Sequence, residues 1–129
     1  MQISTQLMFD GAAEEAMNFY VALFPDSKIT SITRYGPGEQ GREGTVKFAE
    51  FELMSARYAC IDSPIKHNFS FTPSFSIRIE FDDRAQFDKV CDGLTMGGDF
   101  LMPPANYTFS SWFAWVQDRF GVSWQLNLA

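Results

Sequence analysis

A handful of side chains in this sequence could do chemistry, and they differ in what they offer. Gln125 stands in "DRFGVSWQLNL", residues 118–128, where Val122, Trp124, Leu126 and Leu128 alternate with Ser123, Gln125 and Asn127. A strand has a side-chain period of two, so one face of this run is apolar and the other is polar throughout. An amide there can hydrogen-bond a ligand or a water, or act as a weak metal ligand. His67 is the only histidine, hence the one imidazole available for acid–base work near neutral pH. It lies in "DSPIKHNFSFTP", a turn-rich stretch, with no orienting partner that the sequence identifies; a lone histidine in such a stretch is more often a surface residue.

Cys60 and Cys91 fall in a strand-like and a helix-like run and lack CxxC spacing, so both read as buried thiols. Arg78 and Glu80 alternate with Ile77, Ile79 and Phe81. Facing inward they could pair, or Arg78 could hold an anionic ligand group; facing water they form a solvated pair of little worth. Trp112, Trp115 and Trp124, with Phe51, Tyr58, Phe71 and Tyr107, add flat surface for a planar ligand, although most aromatics at strand spacing are core and Trp124, opposite Gln125 in phase, is assigned to the core beneath the helices.

The elements that must position these residues are legible from pattern. "DGAAEEAMNFYVALFPDS" reads as a helix from about Ala12 to Phe24, capped by Asp10, with Glu14 and Glu15 near its positive end and Pro25 past its stop. An alternating strand precedes it (Ile3, Thr5, Leu7, Phe9 against Ser4, Gln6, Met8). Three strand-like runs follow it: "KITSITRYG", "GTVKFAEFELM" and "RYACID". The second half repeats the order, with "SFSIRIEFDD", the helix "RAQFDKVCDGL", and the strands "GGDFLMP", "SSWFAWVQ" and "GVSWQLNL". Phe9-Asp10 and Phe81-Asp82 hold equivalent places.

The predicted fold is therefore α+β, two βαβββ modules of about 1–63 and 73–129 joined by a linker over 64–72, with mixed sheets forming a concave cavity within a single domain of 1–129. The apolar faces of the first and fifth strands (Ile3, Leu7, Phe9; Phe75, Ile77, Ile79, Phe81) would pack on the helices. Their polar faces (Ser4, Gln6; Ser76, Arg78, Glu80) would point to the concave side with Ser123 and Gln125. A solvated face is the plain alternative for any one of these strands.

Composition narrows the function. With 129 residues and 46% hydrophobic content the chain can bury a core without a metal or cofactor to hold it. A formal net charge of -6 disfavours nucleic acid and anionic membranes. No apolar run approaches the ~18 residues of a membrane span, and the N-terminus lacks a signal-peptide pattern, so a cytoplasmic location is expected. "GPGEQG", residues 36–41, matches GxGxxG as text, but a strand follows it, so it reads as a hairpin loop.

The paired modules, with "FDGAAEEAMNFYVALFPDSKI" early, "SFSIRIEFDD" and "MPPANYTFS" between, and "WVQDRFGVSWQL" late, resemble the vicinal oxygen chelate (VOC) superfamily. The superfamily includes glyoxalase I, bleomycin-resistance proteins and extradiol dioxygenases. The nearest branch is the PhnB-like one, often labelled a 3-demethylubiquinone-9 3-methyltransferase family. The resemblance implies a glyoxalase/bleomycin resistance/dihydroxybiphenyl dioxygenase-like fold. Metal-dependent members draw ligands from the first, fourth, fifth and eighth strands. Carried onto this chain, those places are Thr5, Gln6 or Ser4; Ala59 or Cys60; Ser76; and Gln125.

Amides, a hydroxyl and at most one thiol hold a divalent metal poorly against water. No metal and no cofactor are therefore expected. Neither does a glycine-rich turn join a strand to a helix, as a nucleotide-type cofactor on a Rossmann unit would need.

The expectation is a binding protein whose homodimer takes a small hydrophobic or aromatic molecule, with Gln6, Cys60, His67, Ser76, Arg78, Tyr107 and Gln125 at the ligand and no reaction assigned. The alternatives are a metal-dependent isomerase, lyase or dioxygenase with an atypical ligand set that includes Gln125 and Glu80 or His67, and a scaffold whose cavity is vestigial.

Overall fold

Leu7 and Phe9 set the inward face of the first strand, and the rest of the first unit is built against that face. The computed structural model describes all residues 1–129. They fall into two compact units, Met1–Asn68 and Phe69–Ala129. In the first, the strand β1 (Thr5–Phe9), the helix α1 (Ala13–Leu23) and the strands β2 (Lys28–Arg34), β3 (Val46–Leu53) and β4 (Ala56–Asp62) follow in chain order. The sheet order is β1-β4-β3-β2. β1 runs parallel to β4, whereas the other neighbours are antiparallel.

Ala13, Ala16, Met17 and Tyr20 are the buried stripe of α1. The Tyr20 ring stacks toward Phe51 at 6.5 Å between centroids, and Phe51 stacks on Tyr58 at 5.2 Å. Cys60 belongs to this helix side of the sheet. It is register-paired with Leu7 on one neighbour and Ala49 on the other, and all three are buried.

The cap of α1 differs from the expectation. Ala12, not Asp10, is the residue before the first turn, and it gives no side-chain cap. The carboxylate that serves the helix comes from the end of β4. Asp62 Oδ1 accepts the backbone N–H of Gly11 at 2.8 Å and of Ala13 at 3.0 Å, while Oδ2 accepts that of Val46 at 2.8 Å. One buried side chain thus satisfies a helix start and the start of β3. Residues 35–45 form the loop of the β2–β3 hairpin, as the reading of "GPGEQG" expects.

The second unit repeats the plan with β5 (Ile77–Phe81), α2 (Arg84–Thr95), β6 (Asp99–Tyr107), β7 (Ser110–Gln117) and β8 (Ser123–Leu128), in sheet order β5-β8-β7-β6. β5 is parallel to β8 and the other pairs are antiparallel. Phe87, Val90, Cys91 and Leu94 are the buried face of α2, the four residues that helical spacing selects. They meet a sheet face that includes Phe81, Ala114, Val116, Trp124 and Leu126, all buried; Phe81 and Phe87 touch edge to face at 5.3 Å.

Here the cap is local, since Asp83 accepts the N–H of Ala85 at 2.9 Å. Two residues assigned to the helix-packing faces fall outside: Ile3 and Phe75 precede their strands and are 88% and 64% exposed. β6 is also longer than its sequence suggests, because it continues through Pro103 and Pro104 as an edge strand, where a missing N–H costs no ladder bond.

Candidate functional site on the second sheet

The face of the second sheet turned away from α2 carries most of the residues with polar chemistry. Trp124 and Leu126 point to the helix, so the period of two sends Ser123, Gln125 and Asn127 the other way. On β5 the same alternation puts Ser76, Arg78 and Glu80 on that open side. Register then aligns one row across all four strands. Arg78 is paired with Gln125, Gln125 with Trp115, and Trp115 with Met102. Paired side chains on one face of a sheet lie within reach of one another.

Gly121 sets the start of this arrangement. It occupies the left-handed region at φ +95° in the turn before β8, a conformation that costs a side-chain-bearing residue. Asp118 holds the same turn, since its Oδ1 accepts the N–H of Phe120 at 2.9 Å and of Val122 at 3.0 Å. Its Oδ2 accepts Trp124 Nε1–H at 2.9 Å, which fixes the indole beneath the helix and with it the phase of Gln125.

Around Gln125 the polar groups form two connected sets. In the first, Trp115 Nε1–H donates to Ser123 Oγ at 2.8 Å, Ser123 and Ser76 share a hydroxyl–hydroxyl bond of 2.7 Å, and Gln125 Nε2 donates to Ser76 Oγ at 3.3 Å. The Pro73 carbonyl lies 3.4 Å from both hydroxyls and takes the proton that remains. Ser123 is only 2% exposed, so its hydroxyl needs these partners. In the second set, Arg78 grips Glu80 Oε1 through Nε at 2.8 Å and Nη2 at 2.6 Å, and Asn127 Nδ2 donates to Glu80 Oε2 at 2.8 Å. Asn127 Oδ1 accepts from Ser110 Oγ. Asn127 first and Arg78 second hold the Glu80 carboxyl below the usual carboxylate range.

An aromatic group adjoins the row on the β6–β7 side. Tyr107 stacks on Phe109 at 5.8 Å, and both meet Phe113 edge on, at 6.1 and 4.9 Å. Phe109 remains 65% exposed, whereas the Tyr107 hydroxyl is spent on the Pro103 carbonyl at 2.7 Å. Tyr107 therefore presents a ring and not a free hydroxyl.

Of the candidates read from sequence, the second sheet brings together Ser76, Arg78 and Gln125 on one face, with Tyr107 on its edge strand. Gln6 belongs to the first unit, on the exposed side of β1. Cys60 does not share that side. It is packed under α1, and burial pushes its thiol up to about 12, which makes it a core thiol and corrects its grouping with the ligand-facing residues.

His67 also has a local task. Ser63 Oγ donates to the Ile65 carbonyl at 2.7 Å, so at the 3.1 Å contact with His67 Nε2 the imidazole is the donor. The pair fastens the segment after β4. Ser123 and Asn127, in phase with Gln125, belong to the hydrogen-bonded sets on its face; Trp115 is the addition that strand pairing alone could supply.

A VOC metal would need the places at Thr5, Gln6 or Ser4, Ala59 or Cys60, Ser76 and Gln125. Those residues do not fit one. Gln125 and Ser76 are bonded to each other, Cys60 faces the helix, and the remaining side chains carry no charge. No group of three or more His, Cys, Asp or Glu side chains is arranged to hold a metal ion.

Two βαβββ modules, each a mixed four-stranded sheet backed by one helix, are the architecture of the VOC class. The model of the family described as 3-demethylubiquinone-9 3-methyltransferase matches residues 1–127. A putative 3-demethylubiquinone-9 3-methyltransferase, PhnB protein, of Bacillus cereus is 48% identical over 100% of both chains, with a TM-score of 0.97. The chain belongs to this PhnB-like branch of the VOC superfamily. At the level of fold alone it is similar to a Pseudomonas aeruginosa protein (23% identity, 99% and 97% of the two chains, TM-score 0.86). The fosfomycin resistance protein FosX of Mesorhizobium loti shares the fold as well (15%, 99% and 92%, TM-score 0.65). No curated protein matches the sequence.

Proposed function

We propose that this protein binds a small planar, hydrophobic or aromatic molecule on the open face of its second sheet, without a catalytic metal. The observation that carries the reading is the row Arg78, Gln125, Trp115 and Met102, which sets a flat indole beside a half-exposed amide and a guanidinium. Mostly apolar walls with a few placed polar groups are what small-molecule sites require. The first unit supports this by contrast. Counting from the equivalent Phe9 and Phe81, its matching row is Gln6, Ala59 and Glu50, without an aromatic ring.

The name of the Bacillus cereus relative suggests methyl transfer. The turns from strand to helix in this chain are Asp10 to Ala12 and Asp82 to Asp83. Each opens on a carboxylate, and the one glycine, Gly11, has its N–H taken by Asp62. A nucleotide-like cofactor would call for several glycines and free N–H groups, which argues for binding over methylation. A cytoplasmic homodimer is the expected setting, and light scattering tests the assembly.

A panel of planar aromatic compounds tests the binding. Ligands that engage the native state raise Tm by mass action, and Trp115→Ala should abolish the rise. A panel that shifts neither protein sinks the reading in favour of a scaffold.

A further inference from the structure

We infer that the polar end of the ligand is an uncharged amide-like edge, a C=O beside an N–H, as in a carboxamide, lactam or ureide, and not an anion; this rests on the binding reading above. The inference comes from which atoms of the row are already spent. Gln125 Nε2 is committed to Ser76 Oγ at 3.3 Å, in a hydroxyl pair that also accepts Trp115 Nε1–H. That orientation keeps Gln125 Oε1, the acceptor end of the amide, out of the bond to Ser76.

Arg78, its exposed register partner on β5, uses Nε and Nη2 on Glu80, so Nη1 is the donor that this pair does not use. A fixed acceptor and a fixed donor side by side are the complement of an amide edge: the ligand N–H meets Gln125 Oε1 and the ligand C=O meets Arg78 Nη1. Trp115, on the other side of Gln125 in the same row, offers the surface on which the ligand's ring can stack.

Charge points the same way. Glu80 accepts from both Arg78 and Asn127, so the guanidinium arrives at the face already neutralised. A carboxylate or phosphonate placed there would meet the Gln125 carbonyl oxygen and the Glu80 carboxylate along with Arg78. Ligand groups that offer only acceptors leave Gln125 Oε1 without a partner, and an unpaired desolvated acceptor is where discrimination between analogues is largest.

Three probes with one ring system separate the possibilities: 2-naphthamide, 2-naphthoate and methyl 2-naphthoate, titrated calorimetrically into the full chain. The expected result is a Kd for the amide at least about tenfold below those of the acid and the ester. Gln125→Leu should bring the amide to the level of the ester, because only the amide offers an N–H, whereas Arg78→Met removes the donor to a C=O that both carry and should weaken amide and ester alike. Circular dichroism melts establish that each variant is folded, and the order of the three affinities in the unaltered chain carries the test if Gln125→Leu does not fold. Acid binding as tight as the amide overturns the inference, because it means the amide of Gln125 faces outward as a donor, while the binding reading stands. Absence of binding by all three overturns both.

Discussion

Asp62 shows how much one side chain can organise. Its two oxygens satisfy three backbone N–H groups, of Gly11, Ala13 and Val46, while it stays 2% exposed. Asp62→Ala leaves those donors unpaired in a dry environment. The expected cost is about 3 kcal/mol, from the loss of charge-assisted bonds and the desolvated donors left behind. Urea denaturation at pH 7 measures it, with Asp62→Asn losing less because an acceptor remains. Nothing in "RYACID" announces this role, since the partners lie 16 to 51 residues away. Gln125 is the opposite case. Its side of the strand follows from the alternation of Val122, Trp124 and Leu126 alone. Its hydrogen bond to Ser76 does not, because that contact spans 49 residues and depends on β5 pairing with β8. The same distance hid the Ser63–His67 contact least and the Trp115–Ser123 bond more, the former being four residues apart and the latter joined only once β7 and β8 pair.

Among the elements, the helices were the most legible, because Phe87, Val90, Cys91 and Leu94 are all buried as their spacing requires. Leu94 has no exposed surface, and Leu94→Ala should cost about 3 kcal/mol through lost burial and the cavity left behind, read from the shift in urea midpoint. The turn before β8 is the other sensitive element. Gly121→Ala forces a methyl group into the left-handed region at φ +95°, for an expected loss of about 1 to 2 kcal/mol. Strand limits were harder to read than strand faces. Ile3 and Phe75 continue the alternation of their strands yet stand outside them, since period alone does not show where the pairing partner ends. β6 hid behind its two prolines, which an edge strand tolerates on its unpaired side.

For the whole molecule, duplication was readable from the repeated order of elements. Both units bury one thiol. Burial raises Cys60 to about 12, helped by Asp62, and Cys91 to about 11, helped by Asp92 and Asp88; Tyr58 is also raised by burial. An unfolded thiol ionises near 8.5. Below that pH both states keep their protons and the full contribution to stability is present. As the pH climbs beyond it, the unfolded chain releases protons that the folded chain retains, so stability falls toward pH 11 to 12. Urea midpoints should therefore be lower at pH 10.5 than at pH 8. At pH 8 a thiol reagent should modify neither cysteine until urea is added. No helix is long and apolar enough to cross a membrane.

The two helix caps differ in one further respect, and it concerns time. Asp83 is two residues from the N–H it serves, so α2 can be finished at its start almost as soon as it is made. The carboxylate that completes α1 lies 49 residues downstream of Ala13, at the far end of β4. During synthesis, the first helix must wait for most of its unit to emerge before its opening turn is satisfied. The second has no such delay. Closing the longer loop belongs to the slow, late part of folding, and amide exchange in a refolding pulse should protect the start of α2 before the start of α1.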